Sequence, residues 1–270
     1  MKLCRFQSLE FDAQNVGRSA RETHPAPRNG IIEDSRISEI HGELWGPREH
    51  TGKSWPLEEV KLLPPSTPSK IVCVGRNYSE HAKELGNQVP ERPLIFFKPP
   101  SSVIASEEPI VLPPISQRVD FEGELAVVIG RRYSQSCAGE DTAGYILGYT
   151  CLNDVTARDL QKLDVQFTRA KSFDTFCPLG PILETHLDPA GVTLETFVNG
   201  TRKQTGHTSE MMFSVDAIIR YIAQVMTLEP GDVIATGTPA GVGTLAPGDV
   251  VEVSVRGIGT LRNPVIAALE

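Results

Sequence analysis

Apolar residues along this chain fall in short runs broken by Gly, Pro, Asn and Asp, and few stretches repeat at helical spacing. The pattern predicts many short strands and few helices. Strands are expected at 30–32 and 35–40, at 70–75, at 94–98 where Pro99 and Pro100 stop the run, at 119–130, at 144–152 and at 192–198. Asn199-Gly200, between two alternating runs, is a hairpin signal. Helices are expected at 79–85, with Ser79 as N-cap and Gly86 as stop, at 155–161 and at 214–226. The fold class is therefore mostly β with short helices, α+β. Residues 1–63 read as a small N-terminal β module with a loose loop at 19–29, the proline-rich 64–70 as a linker, and 71–270 as the main domain.

One strand breaks the pattern. In the stretch 119–130, Asp120, Glu122 and Glu124 alternate, which puts them on one face about 7 Å apart from one to the next before the run turns fully apolar at 125–129. Like charges on an otherwise buried element repel and resist desolvation unless a cation or a basic side chain stands among them; the plain alternative is a sheet edge whose acidic face is wet. The strand at 144–152 runs into Asn153-Asp154 and brings a further acid to a strand end. Glu122, Glu124 and Asp154 make an all-oxygen set of the kind that hard ions such as magnesium or manganese favour, with no paired His or Cys to favour zinc. On this reading loss of Glu122 relieves repulsion and the fold survives it.

Other candidates sit nearby in sequence, each with a plain alternative. His81 and Glu84 are neighbours on one helix face, where the carboxylate can hold the imidazole and raise its basicity; a solvated surface pair has the same spacing. Arg158 and Gln161 share a face after Asp154, and an arginine there either grips a carboxylate at two points or makes a surface salt bridge. Lys171, among small and aromatic residues, is either a side chain reaching out to water or a partner for buried acids. The Gly-rich 237–243 after a strand offers free N–H groups and the Thr238 hydroxyl to an anion, or is a simple turn; the phosphate-loop pattern is absent.

Charge narrows the function classes. Lys and Arg number 26 against 34 Asp and Glu, a net charge of -8, which argues against nucleic acid or an anionic membrane as the main partner. No run has the apolar length of a membrane span. The five cysteines are scattered without a C-x-x-C, and with no signal-peptide core at the N-terminus a cytoplasmic location is expected.

Read in order, Val74-Gly-Arg-Asn-Tyr-Ser-Glu-His81, Phe121-Glu-Gly-Glu-Leu125, Asn153-Asp-Val-Thr-Ala-Arg-Asp159, Ala170-Lys-Ser-Phe173, Gly237-Thr-Pro-Ala-Gly-Val-Gly243 and Gly257-Ile-Gly-Thr-Leu261 resemble the motifs of the fumarylacetoacetate hydrolase family, in its shorter members. Those members are acylpyruvases, oxaloacetate decarboxylases or tautomerases, and the isomerases and decarboxylases of homoprotocatechuate breakdown. The resemblance implies a mixed β-sandwich roll, a homodimer, and magnesium or manganese held by Glu122, Glu124 and Asp154. It implies water activation by His81 with Glu84, an inner-site role for Lys171, a polar wall of Arg158 and Gln161, and a substrate carboxylate at Thr238, with Asp120 set behind the ligands. The larger fumarylacetoacetate hydrolases carry a fourth acidic ligand upstream of the His, which Gly75-Arg-Asn-Tyr-Ser79 lacks, so fumarylacetoacetate itself is not the expected substrate. The first expectation is hydrolysis of an acylpyruvate-type 2-oxo acid through a metal-stabilised enolate. Oxaloacetate decarboxylation or tautomerisation, or isomerisation of a 2-hydroxy-diene-dioate, would share that intermediate, and a catalytically silent metal or oxo-acid binder is the alternative of another class. The segment 79–92, polar and bounded by Gly and Pro, is expected to act as a lid.

Overall fold

The computed structural model describes residues 1–9, 26–84, 86 and 88–268; residues 19–25 of the expected loop and Leu85 of the expected first helix lie outside them. Twelve strands join in one sheet. Its order is Glu49–Pro56, Arg36–His41, Arg28–Glu33, Lys2–Ser8, Cys177–Glu184, Ile146–Asn153, Gly123–Ile129, Val233–Ala235, Ile71–Gly75 and Leu94–Lys98, with Val60–Leu63 and Val103–Ile104 attached off the path. The leading strands extend this sheet, because Lys2–Ser8 pairs with Cys177–Glu184. Pairing is mixed, antiparallel for the most part but parallel where Val233–Ala235 meets Ile71–Gly75.

A second sheet of five strands, Thr201–His207, Thr193–Val198, Val250–Val255, Gly259–Ala267 and Ile110–Leu112, packs on the first. Alternate side chains of Gly123–Ile129 explain the apolar run seen in the sequence, since a strand buried on both faces needs no polar face. Leu125, Val127 and Ile129 share a core with Leu194, Val253 and Leu261 of the second sheet and with Ile218, Ile219 and Ile222 of the helix Val215–Ala223. Ala126 and Val128 point the other way, onto Leu3, Leu152 and Cys177. Ser214 caps that helix, its hydroxyl accepting from Ala217 N–H at 3.3 Å. At the hairpin, Asn199 and Gly200 both take positive φ, 50° and 73°, as the two-residue turn requires. No helix among the described residues is long and apolar enough to cross a membrane.

The structure corrects the strand expected at 119–130, which is two strands in two sheets. Val119–Phe121 pairs with Thr156–Ala157 and Gly243–Thr244 in a small third sheet, and the chain crosses at Glu122 to enter the large sheet as Gly123–Ile129. Side chains hold the crossing open: Gly123 N–H donates to Gln204 Oε1 at 3.0 Å, and its carbonyl accepts from the Thr238 hydroxyl at 2.8 Å. A Cβ at Gly123 would stand 2.1 Å from Thr196 Oγ1, so a larger residue could not pass there.

Candidate active site

The crossing puts three acids together. Gly123 lies opposite Asn153 and Glu124 opposite Leu152 on adjacent strands, so Glu122 and Asp154, each one step beyond its strand, leave the sheet at the same place. Asp154 N–H donates to Glu122 O at 2.8 Å, and Glu122 N–H donates to Asn153 Oδ1 at 2.9 Å, which fixes both backbones. Glu122, Glu124 and Asp154 are buried, and their carboxylate oxygens come within 4.8 Å of one another. They open on a cavity of about 480 Å³ whose wall also includes His81, Glu84, Arg158, Gln161, Lys171 and Thr238. The nine residues expected from the sequence to form the site therefore line one space, and Asp120, expected behind them, does not.

The charges in and behind this wall are unequally shared. Asp120, Glu122, Glu124 and Asp154 are four buried carboxylates, and Lys98, Arg158 and Lys171 are three buried cations. Lys171 Nζ donates to Glu122 Oε2 at 2.7 Å and to Asp154 Oδ2 at 2.6 Å. Arg158 donates through Nε to Asp120 Oδ2 at 3.0 Å, through Nη2 to Glu122 Oε1, and through Nη1 to Gln161 Oε1 at 2.7 Å. Asp120 thus stands behind the trio and steers Arg158. Lys98 Nζ donates to Asp154 Oδ1 at 2.7 Å and to the Val155 carbonyl at 3.0 Å. Among the described residues Glu124 has no basic hydrogen-bond partner; Gly237 N–H donates to its Oε2 at 2.7 Å.

The titration of these groups follows from that sharing. Burial pushes the Glu122 carboxyl up, but Lys171 and Arg158 outweigh it and hold the group below the usual carboxylate range. Burial, then Asp154 and Glu122, push the Glu124 carboxyl well above that range. Burial draws the Lys171 ammonium down, and Asp154 and Glu122 more than offset it, so the group stays protonated.

His81 is buried on the helix Ser79–Glu84, and its Nδ1 stands 3.5 Å from Glu84 Oε2, too far for a good hydrogen bond; among the described residues that ring nitrogen has no hydrogen-bond partner. Glu84 is engaged elsewhere, both its oxygens accepting from Gly241 N–H at 3.1 Å. The Thr238 hydroxyl gives its proton to Gly123 O and accepts from Gln204 Nε2 at 2.7 Å, so in this arrangement it can accept from a ligand but not donate to one.

Sequence reasoning passed over Lys98 and Asn153. Lys98 ends a half-buried strand yet is its one fully buried residue. The only signal for it was arithmetic, since a face carrying several acids needs more than one cation. Asn153 was legible only as part of a motif.

The donor chemistry fits a hard divalent cation. Three carboxylates converge, each oxygen has two lone pairs, and one carboxylate has no basic hydrogen-bond partner among the described residues, so an ion here would neutralise Glu124 where a proton otherwise could.

Comparison with known proteins agrees with the motifs. Residues 70–266 match the family described as fumarylacetoacetate (FAA) hydrolase C-terminal, and residues 18–65 one described as Rv2993c-like, N-terminal. An oxaloacetate tautomerase of Bacillus subtilis is 43% identical over 224 residues, 77% of this chain and 74% of that protein. A human mitochondrial oxaloacetate tautomerase is 42% identical over 224 residues, 78% of this chain and 71% of its own. Among solved structures, a 5-carboxymethyl-2-hydroxymuconate delta-isomerase from Mycobacterium smegmatis superposes with a TM-score of 0.88 at 43% identity, covering 99% of this chain and 100% of that one.

Proposed function

We propose that this chain, which belongs to the fumarylacetoacetate hydrolase family and is an enzyme, interconverts the keto and enol forms of small 2-oxo acids. The tautomerase and isomerase relatives favour proton transfer over the hydrolysis first expected from the sequence. The observation that carries the reading is a buried His81 ring nitrogen with no hydrogen-bond partner among the described residues, on a residue in the wall of a cavity that also presents three converging carboxylates.

Glu122, Glu124 and Asp154 would hold magnesium or manganese, whose contribution is Lewis-acid stabilisation of negative charge on the keto oxygen. Lys171, kept protonated by its two carboxylate partners, adds a fixed positive charge beside that oxygen and needs no reorganisation to do so. His81 removes a proton from the carbon next to the keto group and delivers it to the oxygen, so that a C–H bond breaks, an O–H bond forms and no atom is lost. Glu84, at 3.5 Å, is placed to close on the imidazolium as it forms. The wall of Val74, Phe96, Phe167 and Val242 gives the carbon chain a dry surface.

Stopped-flow loss of the enol absorbance of oxaloacetate, with magnesium or manganese, tests this reading. Catalysed enol loss without matching release of pyruvate is expected. Pyruvate released at the same rate would mean decarboxylation instead. The proximity of Glu84 to His81 keeps hydrolysis as a second reading, and free acid released from acetylpyruvate would restore it. A homodimer, expected from the family resemblance, belongs to the same proposal and is tested by light scattering.

A further inference from the structure

We propose that Arg76 selects dicarboxylate substrates, its guanidinium taking the carboxylate at the end of the 2-oxo acid remote from the metal-binding acids. The inference rests on the reading of the cavity as a 2-oxo acid site. The other cations in the cavity wall are paired with the protein's own acids or exposed to solvent. Arg158 and Lys171 are spent on the protein's own acids. Arg118 is paired through Nε and Nη2 with the two oxygens of Asp120, at 3.0 and 3.1 Å. Lys162 is exposed on the helix Arg158–Leu163, where its flexible ammonium is hydrated. Arg76 lines the cavity half-buried, and its guanidinium makes no hydrogen bond or ion pair with any described residue.

The backbone under Arg76 is held as though the side chain must be aimed. Its φ is 58°, a left-handed conformation that an arginine adopts only when its surroundings impose it. Those surroundings are Asn77 and Gly237. Buried Asn77 donates through Nδ2 to the carbonyls of Phe213 at 3.0 Å and Thr236 at 2.8 Å, and its Oδ1 accepts from Phe213 N–H at 2.8 Å. Gly237 lies so close beneath that a Cβ there would come within 2.7 Å of Asn77 Cβ. The turn that ends the strand Ile71–Gly75 is thereby locked to the loop that binds Glu124 through Gly237 N–H. One rigid unit then carries the group that orients Glu124 and a guanidinium without a partner among the described residues. A planar guanidinium with no partner among the described residues, on a constrained backbone at the wall of a cavity whose other buried cations are paired with the protein's own acids, suits two-point binding of a carboxylate.

The test compares wild type with Arg76→Asn, chosen because asparagine tolerates positive φ, and Arg76→Lys, which keeps the charge. Each is loaded with magnesium and assayed on the enol of oxaloacetate and on its 4-ethyl ester, which lacks the remote charge. Wild type should prefer the diacid, and Arg76→Asn should lose roughly 10–100-fold in kcat/KM on the diacid with the ester unchanged, the loss expected for one charge-assisted contact. Arg76→Lys should recover part of it, and calorimetric affinity for oxalate, which offers only the chelating end, should stay the same in all three. Equal losses on diacid and ester, an undiminished rate on the diacid, or a wild type indifferent to the ester would overturn the proposal. Should Arg76→Asn fail to fold, Arg76→Gln is read in the same way. A wild type that binds oxalate yet converts neither compound defeats the proposed activity alone. Calorimetry with 2-oxoglutarate against 2-oxobutyrate then decides on Arg76: a preference for the diacid that Arg76→Asn erases keeps it, and one left intact overturns it.

Discussion

Glu122 and Glu124 look equivalent in the sequence, and replacing each by glutamine should show that they are not. Glutamine keeps the volume and an acceptor oxygen but removes the charge. At Glu124 the change should cost the metal-free protein little. Burial and the neighbouring Asp154 and Glu122 already push that carboxyl well above the usual carboxylate range, towards its neutral form, and the amide oxygen can still accept from Gly237 N–H. At Glu122 the same change strips a carboxylate partner from both Arg158 and Lys171 inside the protein, and breaking a buried pair in this way costs about 3–5 kcal/mol. The sequence expectation that loss of Glu122 relieves repulsion is therefore corrected: the cations around it make it the acid whose charge the fold depends on.

Thermal denaturation after chelation, and again with manganese, reads both effects. A chain of this size moves about 2–4 °C per kcal/mol, so Glu122→Gln should melt roughly 6–20 °C below wild type without metal. Metal at a hundredfold excess over its Kd adds about 2.7 kcal/mol to wild type, or roughly 5–11 °C. Glu124→Gln should melt with wild type when metal-free and gain almost nothing from manganese. Equal apo destabilisation by the two variants would refute the unequal sharing of charge, and a full manganese response in Glu124→Gln would remove Glu124 from the ligand set.

Lys98→Met should destabilise by about 3–5 kcal/mol, because Asp154 then keeps a single buried cation; a loss below about 1 kcal/mol in urea denaturation would show the pair to be dispensable. Thiol titration of the native protein should find one fast cysteine, Cys137, whose thiol is drawn down first by the hydrogen bond from the Ser134 backbone. Burial pushes Cys4, Cys151 and Cys177 up to about 12 and Cys73 well above its ordinary value, so the other four should react only after denaturation; a second fast thiol would contradict the packing around them. Oxalate with magnesium should slow amide exchange across the helix Ser79–Glu84 if 79–92 acts as the lid proposed from sequence, and unchanged exchange would make that helix a fixed wall. His81→Ala should abolish enol–keto exchange while leaving oxalate affinity near wild type; parallel losses would make His81 a binding residue.

What the sequence revealed and what it hid have different physical causes. Glu122, Glu124 and Asp154 were legible because a charge inside an apolar run is a local contradiction, visible without knowing the fold. The hairpin at Asn199-Gly200 was legible for the same local reason, since few residue pairs accept two positive φ angles. Lys98 was not, because a lysine ending a strand before two prolines looks the same whether its head lies in water or on Asp154, 56 residues away. The break at Glu122 was hidden likewise: the groups that hold Gly123 out of a continuous strand, Gln204 and Thr238, lie 81 and 115 residues on. Arg76 was read only as a letter in a motif, since the sign of a backbone angle is written in its neighbours and not in the residue.

The same limit decides how far the metal reading reaches. Alternation could say that several like charges share a face and that something must neutralise them, which leaves a cation and a set of basic side chains as equal answers. In the folded chain the basic side chains answer for most of the acids and leave one over. Arg158, Lys171 and Lys98 arrive from three separate segments and take Asp120, Glu122 and Asp154 between them. The basic side chains therefore account for the burial of most of the cluster, while Glu124 has only a through-space pull from Lys171 and no basic hydrogen-bond partner among the described residues. The charge left over for a cation or a proton to neutralise is that of Glu124, whose carboxylate is held at the cavity by the N–H of Gly237, the residue whose loop also fixes Arg76.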